Sequence, residues 1–313
     1  MNNREGNNLC TLIQMLNIKK ILSQDRLLRA TTGLNRKAFD QLLVDFRIVY
    51  LSFPIKRKNP RQRKTGAGRK AKLITMEQKL FYILFYFKCY PTFDLASVIF
   101  DFDRSQAHRW VHRLQPILET TLGEKKVLPL RKISSIQEFI EHFPSVKEVI
   151  IDGTERPICR PKDKEEQKQN YSGKKKRHTS KNLAAVAKNK RILVLTPSIK
   201  GKIHDKKIHD QEDIIGGIPD EIPVLADLGF QGVQKQYENI HLPHKKPKGG
   251  ELTQEQKKEN TELAKQRVVC ENAFAGVKRY NVISDIYRNR VSKFEDKLIL
   301  TASGLWNFYL EAA

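Results

Sequence analysis

Val149–Arg160, VIIDGTERPICR, is the stretch whose reading decides the fold. Val149, Ile150 and Ile151 are apolar and β-branched, and they run directly into Asp152-Gly153-Thr154. A short apolar run closed by a turn signal reads as a buried strand. A carboxylate at the end of such a strand is costly unless a basic partner or a metal ion meets it. The competing reading is an aspartate that caps the turn. Lys147–Asp152 is therefore strand one, with Asp152 at its C-terminal end.

Downstream, Thr179–Ala187 and Arg191–Pro197 read as two more strands, with Lys188-Asn189-Lys190 as a hairpin turn. A short helix is expected at about residues 211–215, after the pairs His204-Asp205 and His209-Asp210. Those pairs invite a metal reading, although an aspartate before a helix is more often a cap. A fourth strand, Ile222–Ala226, ends in Asp227-Leu228-Gly229 and repeats the opening device. Three hairpin-like strands, a helix and a further strand match the order of an RNase H-like sheet. The predicted fold class is α/β, a mixed five-stranded sheet with helices on both faces. In that order strands one and four are neighbours, so Asp152 and Asp227 meet. Adjacent carboxylates raise each other's pKa unless divalent cations sit between them, which favours the metal reading for this pair.

Thr253-Gln254-Glu255-Gln256 then caps a long helix reaching about Arg279. Arg267, Glu271 and Lys278 share one face of it at about 100° per residue. An i,i+4 Arg–Glu pair is by itself a minor salt bridge. Phe274 lies on the same face, which predicts that Glu271 points partly inward, toward the sheet. A last helix, capped over Ser292–Glu295 and reaching about Leu310, closes the core with Trp306 and Phe308.

Upstream of the sheet the chain is different. Its 313 residues carry 58 lysines and arginines against 35 acids, a formal net charge of +23. That excess favours a polyanionic partner, nucleic acid first. Lys56–Lys72 contains nine basic residues, Arg69 and Lys70 among them, and no acid. Such a run cannot bury a core; it reads as an extended arm for a phosphate backbone or minor groove, with a solvated linker as the alternative. A capping box at Thr75–Gln78 opens an apolar helix to about Cys89. Phe93–Phe100 is a second helix, and Asp103–Gln106 caps a third. Ala107, Val111, Leu114 and Leu118 form the inner stripe of that third helix. Arg104, Gln106, Arg109 and Arg113 lie outward. This is a helix-turn-helix pattern whose third helix would enter the major groove. Residues 1–55 read as a small helical region. The domain boundaries expected are thus 1–55, 56–74 for the arm, 75–122 for the helix-turn-helix and 123–313 for the sheet domain. No apolar run spans a bilayer, no signal peptide is evident, and the four scattered cysteines form no zinc spacing. The expected location is inside the cell.

Taken together, GAGRKAKL, YPTFDLASVIFDFDRSQAHRWV, DGTERPI, YSGKKKRHT, GKIHD, LADLGFQG and RVVCENAFAGVKR resemble insertion-sequence transposases of the DDE superfamily, in the branch akin to Harbinger transposases. The resemblance runs from about Lys64 to Arg279. It implies Asp152, Asp227 and Glu271 as catalytic, metal-holding acids. The family's helix signature is met by Arg267, Glu271 and Lys278, whereas its tyrosine position holds Ala264. The interval from Asp227 to Glu271 leaves no room for a large insertion domain.

The resemblance further implies two Mg²⁺ ions, replaceable by Mn²⁺, about 3.5–4 Å apart. It implies a double-stranded DNA partner, both the element's terminal inverted repeats and the target, and a homodimer on DNA. Arg104, Gln106 and Arg109 are the expected end-reading contacts, with Arg113 also on the DNA and Arg69 and Lys70 on the backbone or in the minor groove. Lys174, Lys175 and Lys176 of the basic loop, with Arg267 and Lys278, are expected at phosphates. Three other readings stay open: a transposase-derived DNA-binding protein without catalysis, an RNase H-like nuclease that cuts without joining, and a basic RNA-associated protein.

Overall fold

A computed structural model describes residues 17–54 and 71–312. The expected arm, with Arg69 and Lys70, falls almost wholly outside them. Two compact units divide at Thr121 and Leu122.

The first unit is all helix: α1 (Ile18–Ser23), α2 (Asp25–Thr32), α3 (Arg36–Ser52), α4 (Met76–Cys89), α5 (Phe93–Phe100) and α6, which starts at Arg104 and extends to Glu124. The capping box at Thr75 and Gln78 is formed on both sides. Every residue of α4 from Lys79 to Phe87 is buried. A helix that is apolar all round must be enclosed, and α2 and α3 pack against it. Phe81, Tyr82 and Phe85 meet Phe100, and the Tyr82 hydroxyl donates to the Ala107 carbonyl at 2.9 Å. Each such ring contributes about 1.5–3 kcal/mol by leaving water. The inner stripe of α6, Ala107, Val111, Leu114 and Leu118, is completely buried, as its spacing predicts. So residues 17–54 pack on α4 within the same unit.

The second unit holds α7 (Ile136–His142), β1 (Val149–Pro157), α8 (Lys164–Asn170), β2 (Tyr171–Ser172), β3 (Arg177–Ala187), β4 (Ile192–Leu195), β5 (Ile199–Lys200), α9 (Asp205–Glu212), β6 (Val224–Leu225), β7 (Ile240–His241), α10 (Gln254–Lys278), α11 (Asn281–Ser284) and α12 (Phe294–Ala312). The sheet runs β4-β3-β1-β6-β7. Its β4-β3-β1 part is antiparallel, and β1-β6 and β6-β7 are parallel. This is the mixed five-strand order of an RNase H-like fold, with the short β2 and β5 added along β3.

One sheet face carries Val149, Ile151, Leu183 and Ala185, which pack with Ile208 of α9 and Phe139 of α7. The other is covered by α10 and α12, where Phe274, Val277 and Ile299 meet Leu195.

Three local expectations are corrected. Strand one does not end at Asp152: β3 is eleven residues long and holds β1 in register to Pro157, with Asp152 opposite Ala184. The helix expected at about residues 211–215, after the His-Asp pairs, is Asp205–Glu212 and contains His209-Asp210. The basic Tyr171–His178 loop is a tight hairpin, with Tyr171 opposite His178 and Lys176 in the left-handed region.

Candidate active site and DNA-binding helices

The parallel pairing of β1 and β6 sets the acidic centre. Asp152 stands on β1 beside Gly153, whose amide donates to its Oδ1 at 2.7 Å. Asp227 follows β6, and its Oδ1 accepts from the Gly229 amide at 2.8 Å, so it is both a cap and a site residue. The guanidinium of Arg267, on α10, reaches both: Nη2 is 3.8 Å from Asp152 Oδ2 and 4.0 Å from Asp227 Oδ2. Arg267 Nε is buried with no hydrogen-bond partner. Burial pushes the Asp152 carboxyl above its ordinary range; the Gly153 amide and Arg267 pull it down, and Asp227 and Asp205 push it up.

Asp205, the first residue of α9, comes in from the opposite sheet face. Bare glycines make room for it. A Cβ on Gly153 would lie 3.0 Å from Asp205 Oδ1; one on Gly229 would lie 3.2 Å from Asp205 Oδ2 and 2.7 Å from Asp227 Oδ1. Lys181 of β3 holds Asp205 at 3.1 Å and Glu155 at 3.6 Å, its side chain only 10% exposed. Asp205, Lys181 and Glu155 were not singled out as site residues from sequence. Only the GKIHD motif and its His-Asp pair hinted at the first.

Glu271 departs from expectation, because it is exposed. The buried side of α10 is centred on Cys270, Ala273, Phe274 and Val277. Taking Arg267 as origin at about 100° per residue, Phe274 and Cys270 lie about 20° and 60° to one side, and Glu271 about 40° to the other. Arg267 is thus at the edge of the buried face and Glu271 beyond it. Among the described residues no three His, Cys, Asp or Glu side chains are gathered closely enough to hold a metal ion.

Asp152 and Asp227 nevertheless fit a hard divalent cation. Mg²⁺ takes oxygen donors, keeps several waters and needs only one or two carboxylates besides a bound phosphate. The glycines left bare beside these acids keep that space open. Lys278, half-buried, shares a small hollow with Lys175, Arg177 and Glu155. Burial lowers its pKa, and Lys175 lowers it further. Lys174 and Lys176 are exposed on the hairpin turn.

In the helical unit, Arg104 and Arg109 are exposed, Arg104 at 3.5 Å from Asp94 and Arg109 bonded to Ser105. Arg113 stacks its guanidinium on Tyr50 and Trp110, 5.4 and 5.3 Å from the ring centres. It shares a hollow with Gln106 and Lys72. All four α6 candidates are therefore accessible at the surface or in that hollow. No helix among the described residues is long and apolar enough to cross a membrane.

Comparison with known proteins agrees with this layout. Residues 151–307 match the family model described as DDE superfamily endonuclease, and residues 71–124 match the helix-turn-helix of DDE superfamily endonuclease. The chain is 32% identical over 249 residues to a protein of Microchaete diplosiphon described as "Probable transposase for insertion sequence element IS702", covering 80% of this chain and 86% of that one. No solved structure matches. The chain belongs to the DDE superfamily of endonucleases, as a transposase with a helix-turn-helix DNA-binding unit.

Proposed function

We propose that this transposase binds the terminal inverted repeats of its own element, cuts the DNA there and joins the freed end to a target, in the bacterial cytoplasm. The observation that carries this reading is the convergence of Asp152 and Asp227 on one guanidinium, a cation that offsets the repulsion between the two carboxylates. DDE endonucleases work with divalent metal ions; here Asp152 and Asp227 would hold Mg²⁺, or Mn²⁺ in its place. Glu271, about 40° further round α10 from Arg267, would be the third carboxylate of that set. When bound, the ions supply an activated nucleophile, water or a DNA 3′-hydroxyl, and stabilise the leaving oxygen.

The chain's own residues do the rest. Lys175 and Lys278 line one hollow and repel each other, a repulsion that a bound phosphate would relieve. Arg104, Gln106, Arg109 and Arg113 read base edges and backbone from α6, helped by Arg69 and Lys70 of the arm. Because two ends must be joined, at least two copies are expected together on DNA.

The test is cleavage of a labelled duplex carrying the element's end, in Mg²⁺ and in EDTA, by the native chain and by Asp227→Ala. Metal-dependent cutting that the variant loses, with DNA binding retained and joining to a second duplex, is the expected result. Tight binding without cutting in either Mg²⁺ or Mn²⁺ sinks the catalytic reading in favour of a binding protein. Cutting without joining favours a plain nuclease.

A further inference from the structure

Beside the acidic centre, on the α9 side of the sheet, opens a cavity of about 920 Å³. Its floor is the ion group Glu155–Lys181–Asp205, so it shares Asp205 with the centre itself. We propose that this cavity receives one unpaired nucleotide of the DNA, its base stacked on Tyr171 and its phosphate against Lys174 and Lys202. The proposal rests on the transposase reading and deepens it by naming a second subsite.

Size comes first. The volume lies in the upper part of the range of pockets that enclose small ligands, enough for a nucleotide and its phosphate but far too small for a duplex. Charge comes next. Lys181 offsets one of the two acids of the floor, and Arg160, Lys174 and Lys202 on the rim outnumber the other. Lys174 and Lys202 are exposed at the cavity. A strong anion therefore suits the rim.

The walls then distinguish a nucleotide from a simple anion. Tyr171 is 42% exposed at the cavity, and His178 braces its ring edge-on at 5.7 Å, through the β2–β3 pairing. An exposed ring held in place above a basic groove is how single-stranded nucleic acid is gripped, because every base has a face to stack. Arg160, also in the lining, is fixed by two hydrogen bonds to Gln167 Oε1 at 2.9 and 2.8 Å. A planar, pre-set guanidinium can pair with a base edge or a phosphate. The hairpin that carries Tyr171 also carries Lys174 and Lys175, so one rigid turn faces both this cavity and the Lys278 hollow. Asp205, which lines the cavity, also lies against Gly153 and Gly229 beside Asp152 and Asp227, so the seat adjoins the acidic centre. Such a seat would stabilise a base that has left its partner at the element's end.

The test measures affinity of the full chain, in EDTA, for a blunt duplex and for the same duplex with an unpaired thymidine tail. Wild type is expected to prefer the tailed form about tenfold or more, the scale of one stacked base. Tyr171→Ala should remove the preference, Tyr171→Phe should keep it, and both should bind the blunt duplex as wild type does. Because Tyr171 is exposed on a two-residue strand, Tyr171→Ala should fold normally, which circular dichroism checks. A 2-aminopurine in the tail should lose fluorescence on binding to wild type and keep it with Tyr171→Ala. Equal affinity of wild type for the two duplexes overturns the proposal, as does a preference that survives Tyr171→Ala, while blunt-duplex binding and cutting leave the transposase reading standing. Failure to bind either duplex overturns both.

Discussion

Arg267 is the cation that the metal-free acidic centre relies on, and its removal offers a quantitative test. Its Nη2 lies 3.8 Å from one carboxylate and 4.0 Å from the other. At an effective dielectric near 20, each contact is worth about 4 kcal/mol of Coulomb attraction. The three side chains are 20–30% exposed, so water screens part of this, and desolvation offsets more. The net loss in Arg267→Gln should be about 2–3 kcal/mol in EDTA. For a unit of this size that lowers the melting temperature by roughly 4–12 °C.

The loss has a definite pH dependence. Without Arg267, Asp152 escapes its predicament by taking up a proton, so the gap between variant and wild type narrows as pH falls. Mg²⁺ should close the gap as well, because a divalent cation between the carboxylates replaces the missing charge and stabilises the native state by mass action. Thermal unfolding of both proteins, in EDTA and in saturating Mg²⁺, reads all of this. A variant that melts with wild type in EDTA, or a gap that Mg²⁺ leaves unchanged, would refute the assignment of Arg267 as the stand-in cation.

Two further outcomes follow from neighbouring geometry. Burial raises the Asp152 pKa, so its ionised form destabilises the native state above that pKa, and the penalty disappears as pH falls through it. Asp152→Asn should therefore stabilise the metal-free protein at neutral pH while abolishing cutting, with the gain fading in acid; melting curves across pH in EDTA check this. Gly276 of α10 packs directly on Trp306, where a Cβ would lie 2.4 Å from the indole. Gly276→Ala should cost about 1–3 kcal/mol through overpacking, despite the better helix propensity of alanine, and denaturant unfolding should show it. A neutral or stabilising result would mean that Trp306 moves aside.

What could be read from the chain alone was whatever short-range chemistry specifies. The capping boxes at Thr75 and Thr253 and the inner stripe of α6 are set by neighbours within a few turns, and all stand as expected. The apolar runs ending at Asp152 and Asp227 announced paired strands, because burying a carboxylate needs a reason. The motif order brought the family into view.

Tertiary structure decided the rest. Asp205 approaches Asp152 through the space that Gly153 and Gly229 leave bare, a meeting of α9, β1 and the turn after β6 that no local pattern encodes. Helical periodicity put Arg267 and Glu271 on one face, but only the packing of α10 on the sheet sets where that face turns from buried to exposed. A difference of about 40° along the helix puts Arg267 between the aspartates and leaves Glu271 in solvent. Spacing in sequence states which residues travel together; which of them meets a charge depends on the rotation of whole elements, and long-range packing alone sets that.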